Sequence, residues 1–176
     1  LIFGAGAGTQ DHLFTVRLKD GASSRLIESL AGPSSFSVSA SGQQMTFLKS
    51  SPSAPPQLYA ATKAGAQWKE RALLSVNPEI DSLPKVKAKT LRWKSKDGLE
   101  IEGVLRLPFG TPEGKRVPLL VELHGGPTGV ALEGFPASRT YPYQLFLQEG
   151  FAVLAPNFRG SSNYGGKFRV ANIESQ

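Results

Sequence analysis

The hydrophobic pattern of this chain changes period past its middle, and that change constrains the fold more than any other feature. From Phe36 to Leu74 apolar and polar residues alternate in four short segments, "FSVSAS", "MTFLKS", "QLYAAT" and "WKERALL", separated by turn-rich stretches such as "SPSAPP" and "KAGAQ". Alternation at period two predicts strands with one buried face each. Further on, "PLLVEL" and "FAVLAP" are nearly continuous apolar runs, which suit strands covered on both faces. Between them, "YPYQLFLQEG" places Tyr143, Phe146 and Leu147 on one helical face and stops at Gly150, a residue suited to a C-cap. Strand, crossover helix and strand in that order predict a parallel α/β sheet.

Two further features organise the chain. "LFTVRLKDGASSRL" near residue 13 is echoed by "LYAATKAGAQWKERAL" near residue 58, an offset of 45 residues. That offset falls within the roughly 40 to 50 residues of a four-stranded propeller blade, with a plain antiparallel sandwich as the alternative. Between Ser75 and Pro84, "SVNPEIDSLP" has two prolines and no periodicity and reads as a connection between domains. After it, "KTLRWKSKDGLEIEGVLRLP" predicts a hairpin turning at Asp97-Gly98, since both residues tolerate positive φ.

Composition narrows the functional classes. With 40% hydrophobic and 19% charged residues and no block of like charges, the 176 residues read as globular, long enough for one domain or parts of two. The net charge of +6 raises the question of nucleic acid, but the densest basic group, Lys85 to Lys96, alternates as an exposed strand face would, so no nucleic-acid partner is expected. No stretch approaches the length of an apolar membrane span, so no membrane partner is expected either. The absence of cysteine excludes disulfides and thiolate chemistry and leaves the compartment open, the cytoplasm being slightly preferred. No metal or cofactor is expected. The chain begins with Leu1, without the basic flank of a signal peptide, which suggests a fragment of a longer protein.

Ligands of open α/β sheets bind at the carboxyl ends of the strands, and two polar corners fall there. In "HGGPTG", Gly125 and Gly126 let the backbone turn tightly and aim an N–H outward, while Pro127 restricts the residue before it. An N–H held in this way can receive the oxygen of a tetrahedral acyl-transfer intermediate, although a tight turn without a ligand would use the same residues. His124 reads as a brace for this loop rather than a general base, and His12 as a surface residue. In "PNFRGSSNYGGKF", Asn157 and Arg159 end the second apolar run. Arg159 can pair with a carboxylate, and a structural ion pair is favoured over the end of a peptide substrate. The nucleophile motif G-x-S-x-G occurs nowhere in the chain, and "GPSSF" at Gly32 has the wrong spacing.

The combination of "HGGPTG" and "APNFRGSSNYGGKF", preceded by "WKSKDGLEIEGVLRLP" and the blade-like region, resembles the prolyl oligopeptidase family of serine peptidases, in particular its acylaminoacyl-peptidase and dipeptidyl-peptidase branch. The likeness runs over nearly the whole chain. His124 stands where the strict oligopeptidase branch has tyrosine, which favours the other branch. The resemblance implies that residues 1–80 end a β-propeller and residues 81–176 open an α/β-hydrolase catalytic domain, stopping before the nucleophile serine. It also implies acyl transfer to serine, short peptide substrates, Gly126 as an oxyanion-hole donor, and His124, Gly125, Asn157 and Arg159 as loop-supporting or substrate-binding residues. Assembly of the full-length protein as a homo-oligomer is left open. The alternatives are an esterase or lipase, which also uses an H-G-G loop, and an inert propeller that docks peptides.

Overall fold

The computed structural model describes residues 1–112, 114–126, 128–136 and 140–173. Pro127 therefore lies outside the described residues. The strands, in chain order, are β1 (Ile2–Ala7), β2 (Gln10–Val16), β3 (Ser23–Leu30), β4 (Phe36–Val38), β5 (Gln44–Ser51), β6 (Ala54–Ala64), β7 (Gln67–Leu74), β8 (Lys87–Lys94), β9 (Glu100–Leu107), β10 (Leu119–Val121) and β11 (Ala152–Asn157). Two short helices, α1 (Tyr143–Gln148) and α2 (Gly165–Val170), flank β11. The chain is thus mostly β-sheet with little helix.

The first seven strands form one sheet in the order β1-β2-β3-β5-β6-β7, with β4 paired to β5. Every pairing is antiparallel. The sheet is pinched in its middle, because β3 meets β5 through a single residue pair, Leu30 with Lys49. It therefore consists of two propeller-like meanders, β1 to β3 and β4 to β7. The echoed segments correspond to the β2–β3 and β6–β7 hairpins. Alternation places Leu13, Ile27, Met45, Phe47 and Ala61 inward, and they form the core of this sheet. On β7 the expectation of one buried face is not met. Trp68 packs on the core, but the rest of the strand is exposed on both faces. It is an edge strand, and among the described residues no element covers it.

His12 also departs from its expected place. It lies on β2 and is only 2% exposed, with its Nδ1 unpartnered and its ring edge-on to Phe14. Polarity was a poor guide here because β2 is a central strand flanked by β1 and β3. Burial, with the Arg25 guanidinium second, pushes the His12 pKa below its ordinary value, against a smaller opposing pull from Glu28. The unfolded chain then takes up a proton that the folded chain resists, so this contribution to stability is full above about pH 6.5 and declines as pH falls below it. A urea midpoint that drops between neutral and mildly acidic pH, with a shallower drop in His12→Leu, is the expected result. Parallel curves would show that His12 is not the group responsible.

β1 carries no signal beyond glycine, and the packing explains why. A Cβ at Gly4 would lie 1.6 Å from the Pro33 carbonyl oxygen, and one at Gly6 would lie 2.0 Å from the Asn163 side chain. The strand is glycine-rich so that other parts of the chain can press against it.

A 3₁₀ turn at Pro78–Ser82 leads into the second sheet, ordered β10-β11-β9-β8. The hairpin β8–β9 closes at Gly98, whose φ is +84°. The connection from β10 through α1 returns to β11 in parallel, pairing Leu119–Val121 with Ala152–Leu154. Helix α1 packs Leu147, Tyr143 and Phe146 against Val153, and the chain leaves it through Gly150 at φ +84°. Pro156 falls past the last β10–β11 pair and sits beside Gly103, where any Cβ would press on Trp93 and on Pro156 itself.

β11 is buried on both faces, as its continuous apolar run requires, but β10 is not. It is the edge of the sheet, and Leu119, Val121 and Leu123 are 51%, 57% and 64% exposed. The opposite edge, β8, carries Lys87, Lys89, Arg92 and Lys94, charges that discourage pairing with another strand. An apolar edge without such guards is prone to recruit one. The chain by itself is expected to self-associate and to bind a hydrophobic dye, and Val121→Lys with Leu123→Lys should suppress both. A monomeric wild-type chain with a single cooperative unfolding transition would contradict this. Among the described residues no helix is long and apolar enough to cross a membrane.

Candidate active-site corner

The corner following β10 is held from three directions. His124 stacks on Phe158, with ring centroids 4.5 Å apart. Its Nε2 lies 2.8 Å from the hydroxyl of the fully buried Ser161, and that hydroxyl donates to the Phe158 carbonyl at 2.7 Å. The serine proton is thereby committed, so Nε2–H must be the donor to Ser161. Nδ1 then stands 3.2 Å from the Gly125 carbonyl oxygen, and it donates there only when the ring carries both protons. The imidazole thus ties the corner after β10 to the corner after β11, and the hydroxyl it meets there is already committed to Phe158 O.

Gly126 has φ +102°, a backbone conformation that favours glycine. It is exposed, and its N–H donates to no group among the described residues. The turn closes on itself at Gly129, where a Cβ would lie 2.6 Å from the Gly125 carbonyl oxygen and 2.8 Å from His124 Nδ1. From the other corner, Ser162 N–H donates to Gly129 O at 3.0 Å, and its hydroxyl donates to Thr128 O at 2.5 Å. Gly125 is exposed and a side chain there would have free space, so its contribution is the carbonyl beside His124.

Asn157 and Arg159 lie at the end of β11 and serve different parts of the fold. Asn157 is fully buried and clamps Ala131, accepting from its N–H at 2.7 Å and donating to its carbonyl at 3.0 Å. Its second amide proton goes to Tyr164 Oη at 2.9 Å, and Tyr164 in turn donates to Glu102 at 3.0 Å. Burial, then the Glu102 charge, raises the Tyr164 pKa well above the ordinary phenol value, so it remains a donor. Arg159 turns away to the β8–β9 hairpin, where it pairs with Asp97 at 2.6 Å. The Ser95 hydroxyl, Arg159 and the Leu99 N–H together hold the Asp97 carboxyl far below its usual range. Arg159 therefore makes an internal ion pair in this chain.

Sequence reasoning passed over Ser161, Asn163 and Glu133. Asn163 has φ +74°, and it accepts from the Gly8 N–H at 3.1 Å through its carbonyl and donates to Gly8 O at 3.3 Å through its side chain, joining the second corner to the β1–β2 turn. The one available signal was Asn itself, which tolerates the left-handed region. Between the two sheets lies a cavity of about 470 Å³, bordered by Gln10, Ser50, Arg106, Glu122, His124 and Phe135 among others. Arg106 is 3% exposed, stacks over the Tyr143 ring at 5.3 Å and donates to Leu132 O at 2.7 Å. Among the described residues no group of three or more potential ligands is placed to hold a metal ion.

No protein-family model matches the chain. Individual relatives do. The human acylamino-acid-releasing enzyme is 28% identical over 94% of this chain and 23% of its own length. The pig enzyme is 38% identical over 39% of this chain and 9% of its own. A dipeptidyl aminopeptidase BIII from Pseudoxanthomonas mexicana is 31% identical over 56% of this chain and 15% of its own. Among solved structures, an acylaminoacyl peptidase in complex with Z-Gly-Gly-Phe-chloromethyl ketone superposes with a TM-score of 0.74 at 26% identity, covering 97% of this chain and 25% of that one. The acylaminoacyl peptidase of Pyrococcus horikoshii gives 0.73 at 26% identity over 96% of this chain and 25% of that one. The chain spans about a quarter of the length of the relatives it matches over nearly its whole extent. Over that quarter it is homologous to the acylaminoacyl peptidases and dipeptidyl peptidases of the prolyl oligopeptidase family.

Proposed function

We propose that this chain is the junction of a serine peptidase, with residues 1–80 as the final blades of a β-propeller and residues 81–176 as the opening of an α/β-hydrolase domain. Peptide-bond hydrolysis by acyl transfer to serine is then the activity of the longer protein, and short peptides are its substrates. The observation that carries the reading is Gly126, an exposed residue beyond the carboxyl end of a parallel strand, on a turn braced by His124; the Gly126 N–H donates to no group among the described residues. Such an N–H is a ready oxyanion donor. The apolar, unguarded edge at β10 supports the same reading, because a further strand laid there would cover Leu119, Val121 and Leu123. The cavity between the sheets has the size of a small-ligand site, which suits a short peptide approaching this corner. The peptide-like chloromethyl ketone held by a homologous peptidase supports that substrate class.

The test is to express the full-length protein that contains this segment and treat it with a fluorophosphonate probe, alongside assays on acylated, free-amino and internal peptide substrates. Labelling of a serine outside these 176 residues, with hydrolysis of at least one peptide class, is the expected result. A full-length protein that neither labels nor hydrolyses any of them would overturn the reading.

A further inference from the structure

Arg106 occupies a position on β9 that the hydrophobic pattern of a buried strand would give to an apolar residue. It lies inside the second sheet, between Ala88 of β8 and Val153 of β11, on the face that α1 covers, and it is only 3% exposed. A buried guanidinium is ordinarily matched by a carboxylate. This one is not. Among the described residues Arg106 forms no ion pair, and its Nη2 donates only to the carbonyl oxygens of Leu132 at 2.7 Å and Gly134 at 3.4 Å. Nε is buried without a partner, and Nη1 bonds to no described residue either. The face of the Tyr143 ring, 5.3 Å away, adds a cation–π contact. Burial pulls the Arg106 pKa below its ordinary value against the opposing influence of Tyr143, Glu133 and Glu122, so the charge is under-compensated where it stands.

The same side chain borders the cavity of about 470 Å³ between the two sheets. Three carboxylates border it too, and each has another partner. Glu133 accepts from Gln10 Nε2 at 2.7 Å and from the Thr90 hydroxyl, Glu122 accepts from the Tyr143 hydroxyl at 2.8 Å, and Asp11 is bonded by the Asn163 side chain. Together they would repel a small free anion. A carboxylate carried on a peptide differs, because the peptide brings N–H donors of its own, and the second carboxylate oxygen of Glu122 has no partner among the described residues and is free to accept from one. We infer that Arg106 is a carboxylate anchor in this cavity, and that its ligand is a short peptide bearing a carboxylate, at its C-terminus or on an acidic side chain. Nη1 supplies the donor, since of the two nitrogens without a partner only Nε is sealed off by its neighbours. The inference deepens the peptidase reading by naming a substrate class, and it rests on that reading for the peptide itself.

The experiment uses the full-length protein and two matched pairs of peptides, with cleavage followed as release of free amine. One pair is acetyl-Ala-Ala-Ala and its C-terminal amide; the other is the amides of acetyl-Ala-Ala-Asp and acetyl-Ala-Ala-Asn. In at least one pair the wild type should cleave the carboxylate-bearing member with kcat/KM about ten- to a hundredfold above its uncharged counterpart, the usual weight of one hydrogen bond to a charged group. The pair that discriminates tells a C-terminus from an acidic side chain. Arg106→Met should bring that ratio to about one while leaving the uncharged peptides within about twofold of wild type, a split that a merely structural role would not give. Equal rates within both pairs in the wild type overturn the inference and leave the peptidase reading standing, and a preference that survives Arg106→Met also overturns it. If Arg106→Met loses the uncharged peptides as well, Arg106→Lys takes its place, because it keeps the charge but not the planar fork; a preference lowered by about threefold or more supports the anchor, and an unchanged one overturns it. If the protein cleaves none of the peptides, the same pairs are compared by their shift of its melting temperature. Stabilisation by a carboxylate-bearing member alone, abolished in Arg106→Met, supports the anchor while the peptidase reading fails; equal shifts, or none, overturn both.

Discussion

On the proposed peptidase reading, Gly126→Val is expected to lower turnover of the full-length protein by about 10² to 10³, the usual cost of losing one oxyanion donor, roughly 3 to 4 kcal/mol. A Cβ at Gly126 has room, since its nearest neighbour is the Gly129 nitrogen at 3.5 Å. The difficulty is conformational. At φ +102° a β-branched residue is strained, and relief of the strain by a change in φ would rotate the Gly126 N–H. Substrate affinity should change little, because the donor is needed most when charge develops on the oxygen. Melting temperature has to be measured beside the kinetics. Gly129→Ala is the useful comparison, because its Cβ would collide with Gly125 O and His124 Nδ1, so activity and stability should fall together. Turnover within a few-fold of wild type in Gly126→Val would reduce Gly126 to a turn residue.

The 176-residue chain assayed alone is expected to show neither peptide hydrolysis nor labelling by a fluorophosphonate. No G-x-S-x-G occurs in it, and its serines near the corner are already engaged. Ser161 is buried and donates to Phe158 O, and Ser162 donates to Thr128 O. His124 offers its Nε2 proton to Ser161, whose own hydroxyl is committed to Phe158 O. Binding and oxyanion stabilisation without a triad leave only a residual acceleration, on the order of 10³ to 10⁴ over water. Labelling of the isolated chain, mapped to either serine, would show an activation that this geometry does not contain.

Much of the fold was legible because periodicity survives translation into structure. The four alternating segments became β4 to β7, the Asp97-Gly98 turn became the β8–β9 hairpin, and the apolar runs around a helical stretch became the parallel β10–β11 pair. Where the reading failed, the cause was position in the sheet. "PLLVEL" and "FAVLAP" have the same hydrophobic density, yet one lies at an edge and the other at the centre, and strand order is not written in either segment alone. His12 was misplaced for the same reason, as polarity suggests the surface only when a strand has a free face. The Gly126 turn and the Asn157 corner were legible as tight corners, because glycine and asparagine at strand ends favour turns. Their connection could not, since it passes through Ser161, an unremarkable serine until His124 is seen to reach it.

By itself, then, the sequence determined the local elements and the chemical character of the corner, because φ preferences and hydrophobic period act over a few residues. Tertiary structure alone decided what each polar side chain holds. Arg159 pairs with an aspartate sixty-two positions away, Asn157 clamps Ala131, and Glu133 joins residues 10 and 90 across two sheets. Such partners are chosen by which strands lie side by side, and every buried donor and acceptor must then find one in whatever neighbourhood the packing supplies.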